Sequence, residues 1–162
     1  MFEGHTNTHA ALTRLAGEWE GTVRTWFEAD ELADEQPVRG SLRPVLDGRF
    51  MLHEYETTLT GYPCKGLVLY GFDERNNLYQ AAWVDSCHNG TSIMFSEQEA
   101  NEDDGAFRVL GHYHVPNHAD WGWRTEIRVV DDDHMVITAY NISPQGEEAK
   151  AVETNYRRID ND

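Results

Sequence analysis

Residues 112–123 read "HYHVPNHADWGW", which gathers three histidines, an aspartate and two tryptophans in one short stretch. On a strand, His112 and His114 share one face about 7 Å apart, a span two imidazoles can bridge to a zinc-type ion if a further ligand joins them. His118 and Asp120, or His88 and Asp85, are the available partners, so His112, His114 and His118 are the candidate metal ligands. The plainer account competes with this one. Arg108 lies in the same alternating row as His112, which marks the row as outward, and histidines there would decorate a mouth in contact with water. These residues imply no cofactor.

A second stretch, "AAWVDSCH" at 81–88, places a carboxylate two residues after a tryptophan. A carboxylate that points into an apolar interior must find partners or lose its charge. Structural hydrogen bonding is the ordinary outcome for Asp85, and orientation of a ligand is the sharper one. Binding cavities combine an apolar lining with a few convergent polar groups. Trp83, Trp121 and Trp123 are the candidate aromatic wall, and Asp85, His53, Tyr140 and Glu153 the candidate polar contacts. Asp85 with His88 or His53 could form an acid–base pair, which makes these three the candidate catalytic residues. The chain has no Gly-x-Ser-x-Gly elbow, no phosphate-cradling glycine loop and no His-Glu-x-x-His helix. Binding therefore ranks above catalysis.

These side chains must be held by strands. From Gly17 onward the pattern alternates with period two and is cut by turn-rich segments at short intervals, as in an all-β meander. Ten strands are expected, at 17–28, 37–46, 49–58, 64–73, 77–85, 91–96, 106–114, 122–130, 134–142 and 147–159. "LDGRF", "FDERNNLY" and "SPQGEE" supply hairpin chemistry between them. A short helix is expected in "NTHAALTRLAG", residues 7–17, capped by Thr6 or Asn7 and stopped by Gly17. Ten antiparallel strands favour closure, which removes the edges that invite aggregation, and a closed barrel of that size should enclose a cavity.

At 162 residues, 40% of them hydrophobic, the chain suits a single domain: a segment 1–16 followed by a barrel over 17–159. Thirteen basic against 29 acidic residues leave a net charge of −16, which repels nucleic acid and anionic membranes alike. The acidic runs at 28–36, 101–105 and 131–134 fall between patterned segments and are expected to be solvated loops. No stretch has the apolar length of a signal peptide core or a membrane span, so a soluble cytoplasmic protein is expected. Cys64 and Cys87 make no disulfide framework and lack Cys-x-x-Cys spacing. Free thiols are expected, since a bridge would require an oxidising compartment.

The motif "LAGEWEG" at 15–21, with arginines in the terminal "ETNYRR" at 153–158, resembles the lipocalins and other calycins. That resemblance implies that Arg157 or Arg158 packs over Trp19 and closes one end of the barrel. "DGRFMLHEYE", "GLVLYGFDERNNLYQAAWVDS" and "WRTEIRVVDDDHMVITAY" resemble, more closely, the uncharacterised bacterial lipocalin-like family called domain of unknown function 1579, from Leu15 to Arg158. This implies a ten-stranded calycin barrel related to the fatty-acid-binding type and brings no established activity. A nitrobindin-like haem barrel is a more distant look-alike through Gly17, Trp19 and Gly21. That family ligates iron with a histidine near its C-terminus, and this chain has none after His134.

Together these observations lead to an intracellular barrel that holds a small, largely apolar or aromatic ligand. An enzyme using Asp85 and a histidine, or a histidine-bound metal, is the alternative. A structural barrel that pairs with its own copy through an outer face is the third.

Overall fold

A computed structural model describes residues 12–101 and 106–160. Its elements are β1 (Gly17–Glu28), β2 (Glu31–Val45), β3 (Phe50–Leu59), β4 (Tyr62–Asp73), β5 (Leu78–Asp85), β6 (Met94–Glu99), β7 (Phe107–Tyr113), β8 (Trp121–Asp131), β9 (His134–Ile142) and β10 (Glu148–Arg158). Each strand pairs antiparallel with its neighbours in sequence, and β10 returns to pair with β1, so the ten strands form a closed barrel. Short hairpins produce this order directly, because a tight turn lets the chain pair only with the strand it has just left. Backbone of positive φ sits at the tips, at Leu46, Asp47 and Asn77 among others, within the turn segments that the sequence marks with Asp, Gly and Asn.

Two expectations need correction. The helix over 7–17 is not supported as an element: 7–11 lie outside the described residues, and of the rest only Leu12 and Thr13 are helical, with strands alone among the described elements. Between Leu12 and Ala16 the chain makes a closing turn, with the Leu15 amide donating to the Leu12 carbonyl at 3.0 Å and the Ala16 amide to that of Thr13 at 3.1 Å. The acidic run 28–36 is not a loop. Its residues from Glu31 on are the start of β2, paired with β1 up to Glu28↔Glu31. Both faces of this hairpin end meet water, so the segment carries no apolar alternation and reads as polar coil. The acidic run at 101–105 lies, from 102 on, outside the described residues.

One end of the barrel is sealed. Trp19 is fully buried with Leu15 and Leu12 nearby in the core, and its indole N–H donates to the Leu15 carbonyl at 2.9 Å. Arg158, rather than Arg157, lies over the Trp19 ring with its guanidinium carbon 4.5 Å from the centroid. Its N–H groups also donate to the carbonyls of Ala16, Arg14 and Asp132. The core continues through Leu42, Met51, Tyr70, Val109, Ile127, Met135 and Tyr156, all on inward-facing positions. What remains open lies toward the opposite end, where β4 begins and β5 stops. No helix among the described residues is long and apolar enough to cross a membrane.

Candidate functional site

Inside the barrel, away from the Trp19 seal, is a cavity of about 110 Å³. It is comparable to the roughly 150 Å³ apolar cavity that accepts benzene in another protein. Alternation puts Val23 and Thr25 of β1, Trp123 and Thr125 of β8, and Val152 and Thr154 of β10 on its wall. Among the described residues, no Lys, Arg, Asp or Glu lines it.

One side of the wall is aromatic. Trp83 and Trp123 stack with centroids 5.6 Å apart and an interplanar angle of 17°. The Trp83 indole N–H donates to the Tyr55 hydroxyl at 2.9 Å, and the Tyr55 ring passes so close over Gly66 that a Cβ there would lie 2.2 Å from its oxygen. Glycine is thus what lets β4 approach this ring. The polar side is built on His53, which is 5% exposed and sits among Tyr55, Tyr70 and Tyr156. His53 Nε2 shares a 2.9 Å hydrogen bond with the Tyr156 hydroxyl, while Nδ1 is buried with no hydrogen-bond partner among the described residues. Burial lowers the His53 pKa to about 4, so the ring is neutral at pH 7. Burial likewise raises the Tyr55, Tyr70 and Tyr156 hydroxyls well above the usual phenol range.

A second cluster lies where β5 ends. The side chain of Asp85 is fully buried. Its Oδ1 accepts the backbone amides of His88 at 2.8 Å and Asn89 at 2.9 Å, and its Oδ2 takes the His88 ring at Nδ1. Burial alone would raise the Asp85 carboxyl, but the hydrogen bonds from the His88 ring and the two amides outweigh it and hold the group below the usual carboxylate range. Cys64 and Cys87 are joined by a disulfide with Cα atoms 5.5 Å apart, which corrects the expectation of free thiols. The reason is register. Gly66↔Asp85 pairs β4 with β5, and two residues further along the same hairpin Cys64 faces Cys87. Cys64 and His88 both line the cavity, so the cluster borders it.

The sequence candidates separate accordingly. Trp83, Trp123 and His53 line the cavity, and Asp85 and His88 form the pair just described. Asp85 does not meet His53, whose partner is Tyr156. Trp121, Tyr140 and Glu153 are not on the lining. Trp121 is half-buried at the start of β8, beyond the cavity, while Tyr140 stacks under Arg124 at 4.8 Å and Glu153 accepts from Lys150 at 2.7 Å. His112, His114 and His118 are all exposed at the β7–β8 end, with His114 3.1 Å from Asp120. They do not converge on a common point. The described His, Cys and acidic side chains that do converge are Cys64, Asp85, Cys87 and His88, whose donor atoms lie within 4.8 Å of one another. Tyr55, Tyr70 and Tyr156 had a signal in the sequence, since Tyr55 follows His53 by two and Tyr156 follows Val152 and Thr154 in the same inward row.

Among solved structures the fold is similar to that of Rv2717c from M. tuberculosis, with 12% identity and a TM-score of 0.59 over 94% of this chain and 98% of that one. A protein of unknown function of the DUF3598 family from Nostoc punctiforme aligns over 94% of this chain and 99% of its own at 8% identity, but with a TM-score of 0.25. No curated protein matches the chain. The profile of one family matches residues 5–158, nearly the whole length, and the chain belongs to that family, described as Protein of unknown function (DUF1579).

Proposed function

We propose that the barrel binds a small, uncharged, single-ring aromatic molecule in the cavity between the Trp83–Trp123 stack and His53. The observation that carries this reading is His53, which lines an otherwise mostly apolar and aromatic cavity and whose buried Nδ1 has no partner among the described residues. Buried polar atoms are rarely left without a hydrogen bond, and a ligand carrying one polar atom would complete this one. No Lys, Arg, Asp or Glu among the described residues lines the cavity and His53 is neutral, so an ionised guest would lose its hydration with little to compensate. That disfavours fatty-acid carboxylates in this cavity.

The test is calorimetric titration with p-cresol and phenol beside benzoate of similar size. The neutral probes should bind, benzoate should bind at least tenfold more weakly, and Ala81→Phe, which fills the lining at Ala81, should abolish binding. Equal binding of benzoate, or binding untouched by Ala81→Phe in a folded protein, would sink the proposal.

A second reading, an enzyme, is favoured by the Asp85–His88 hydrogen bond. A carboxylate that holds the Nδ1 proton leaves Nε2 free to act as a base on a guest in the cavity. Turnover of a bound compound that vanishes in His88→Gln, with its binding intact, would move the assignment from binding protein to enzyme.

A further inference from the structure

We infer that, once its disulfide is reduced, the chain binds one zinc-type dication through Cys64 Sγ, Cys87 Sγ, His88 Nδ1 and Asp85 Oδ2. The inference is independent of the ligand in the cavity. It rests on four donor atoms within 4.8 Å of one another, contributed by the start of β4, the last residue of β5 and the turn that follows. Two thiolates, an imidazole and a carboxylate form the mixed soft and hard donor set that suits zinc.

Two of the six donor pairs already stand near tetrahedral spacing. With Zn–S near 2.3 Å and Zn–N or Zn–O near 2.0–2.1 Å, donor atoms on a shared ion stand about 3.4–3.8 Å apart. Cys87 Sγ is already 3.3 Å from His88 Nδ1 and 3.4 Å from Asp85 Oδ2. Two pairs are closer, and each has a removable cause: a covalent bond joins Cys64 to Cys87, and a shared proton joins Asp85 to His88. Loading the ion requires the loss of both.

The surroundings would orient the ligands as outer-shell partners do in metal sites. Asp85 Oδ1 is occupied by the amides of His88 and Asn89, which leaves Oδ2 to face the ion. The Ser86 amide donates to the Lys65 carbonyl at 2.8 Å and the Lys65 amide to Ser86 Oγ at 2.9 Å. These bonds tie the turn to β4 beside Cys64 and do not depend on the disulfide.

The chemistry balances with a dithiol or phosphine reductant. Two electrons and two protons convert the disulfide to two thiols, and the reductant is oxidised to its own disulfide or to a phosphine oxide. Binding the dication then releases both thiol protons to solvent. The proton that His88 Nδ1 shares with Asp85 passes through solvent to Nε2, which leaves the Nδ1 lone pair for the ion and a carboxylate at Asp85. A small-molecule disulfide that accepts two electrons from the thiolate pair, and leaves as two thiolates, re-forms the S–S bond and expels the metal, so the site would be loaded only in the reduced state.

The experiment uses the full chain, reduced with a phosphine, desalted without air and titrated with cobalt(II) as a spectroscopic probe. The expected result is one cobalt per chain, with tetrahedral visible bands and a thiolate charge-transfer band in the near ultraviolet, all bleached by stoichiometric zinc. The oxidised wild type serves as the folded control and should show none of these bands. His88→Asn should weaken cobalt binding about tenfold or more while leaving the charge-transfer band. Cys87→Ser should lower that band by about half, consistent with the loss of one of two thiolates. Equal cobalt binding by oxidised and reduced protein, or reduced protein without a thiolate band, overturns the inference.

Discussion

His53 carries the clearest consequence at the scale of single residues. It is buried and neutral, with its pKa lowered to about 4, whereas the unfolded chain holds it near 6.5. The folded state therefore resists protonation. The stability this contributes is fully present above pH 6.5 and is lost as pH falls from 6.5 toward 4, to a total of about 3 kcal/mol. Many carboxylates titrate over part of the same range, so the comparison must be internal. Urea denaturation of the wild type and of His53→Gln at pH 7 and pH 4.5 should show a larger loss in the wild type. Parallel losses would mean that His53 is protonated in the fold without penalty. His53, Trp83 and Trp123 were legible in the sequence because each is large and lies on an inward row. Tyr140 and Glu153 misled because their size and charge outweighed their parity: Ala139 lines the cavity, and so do Val152 and Thr154 on either side of Glu153, which turns Tyr140 and Glu153 outward.

At the scale of elements, the seam between β1 and β10 closes the barrel, and two residues make it sensitive. A Cβ at Gly21 would lie 1.8 Å from the Asn155 carbonyl oxygen, which is backbone and cannot swing aside. Gly21→Ala should therefore cost about 3 kcal/mol, toward the upper end of overpacking penalties, measured as a fall in the urea midpoint. A cost below that of an ordinary surface substitution would show that the seam yields freely. Arg158 ties the same seam to the chain before β1 through the carbonyls of Ala16 and Arg14, and to the β8–β9 turn through that of Asp132. Arg158→Ala should lose about 2 kcal/mol, and Arg158→Lys should recover less than half, because one ammonium cannot span three carbonyls and stack on Trp19. Full rescue by lysine would reduce the role of Arg158 to its charge. The strands themselves were readable wherever one face is buried, and β9 begins and ends at the residues its alternation marks. Alternation disappears where a hairpin meets water on both sides, which is why the start of β2 reads as coil. The Cys64–Cys87 bridge could have been found by counting the β4–β5 register forward two residues, but composition alone argued for free thiols.

For the molecule as a whole, closure and charge act against each other. The chain carries 29 acidic and 13 basic residues, a net −16, so closing the barrel brings many like charges into close quarters. Local pairs do little to offset this. Arg24–Glu35, Lys65–Glu56 and Arg14–Asp132 all have both side chains about half exposed or more, and such pairs are worth at most about 1 kcal/mol each. Added salt screens the exposed pairs and the general repulsion together, with a Debye length that falls from about 30 Å at 0.01 M to about 3 Å at 1 M. The pairs stand to lose little, whereas the repulsion acts across the whole surface and is summed over many charges. The urea midpoint should therefore rise steadily as sodium chloride increases from about 0.01 M to 0.5 M, and most of the rise should come by about 0.15 M, where the Debye length has dropped to about 8 Å. Guanidinium chloride would conceal the effect, since the denaturant is itself a salt. A midpoint that falls with added salt would mean that the barrel is held by specific ion pairs rather than strained by its net charge, and would turn attention to the buried Glu126, which pairs with both Arg108 and Arg128 at 3.1 Å.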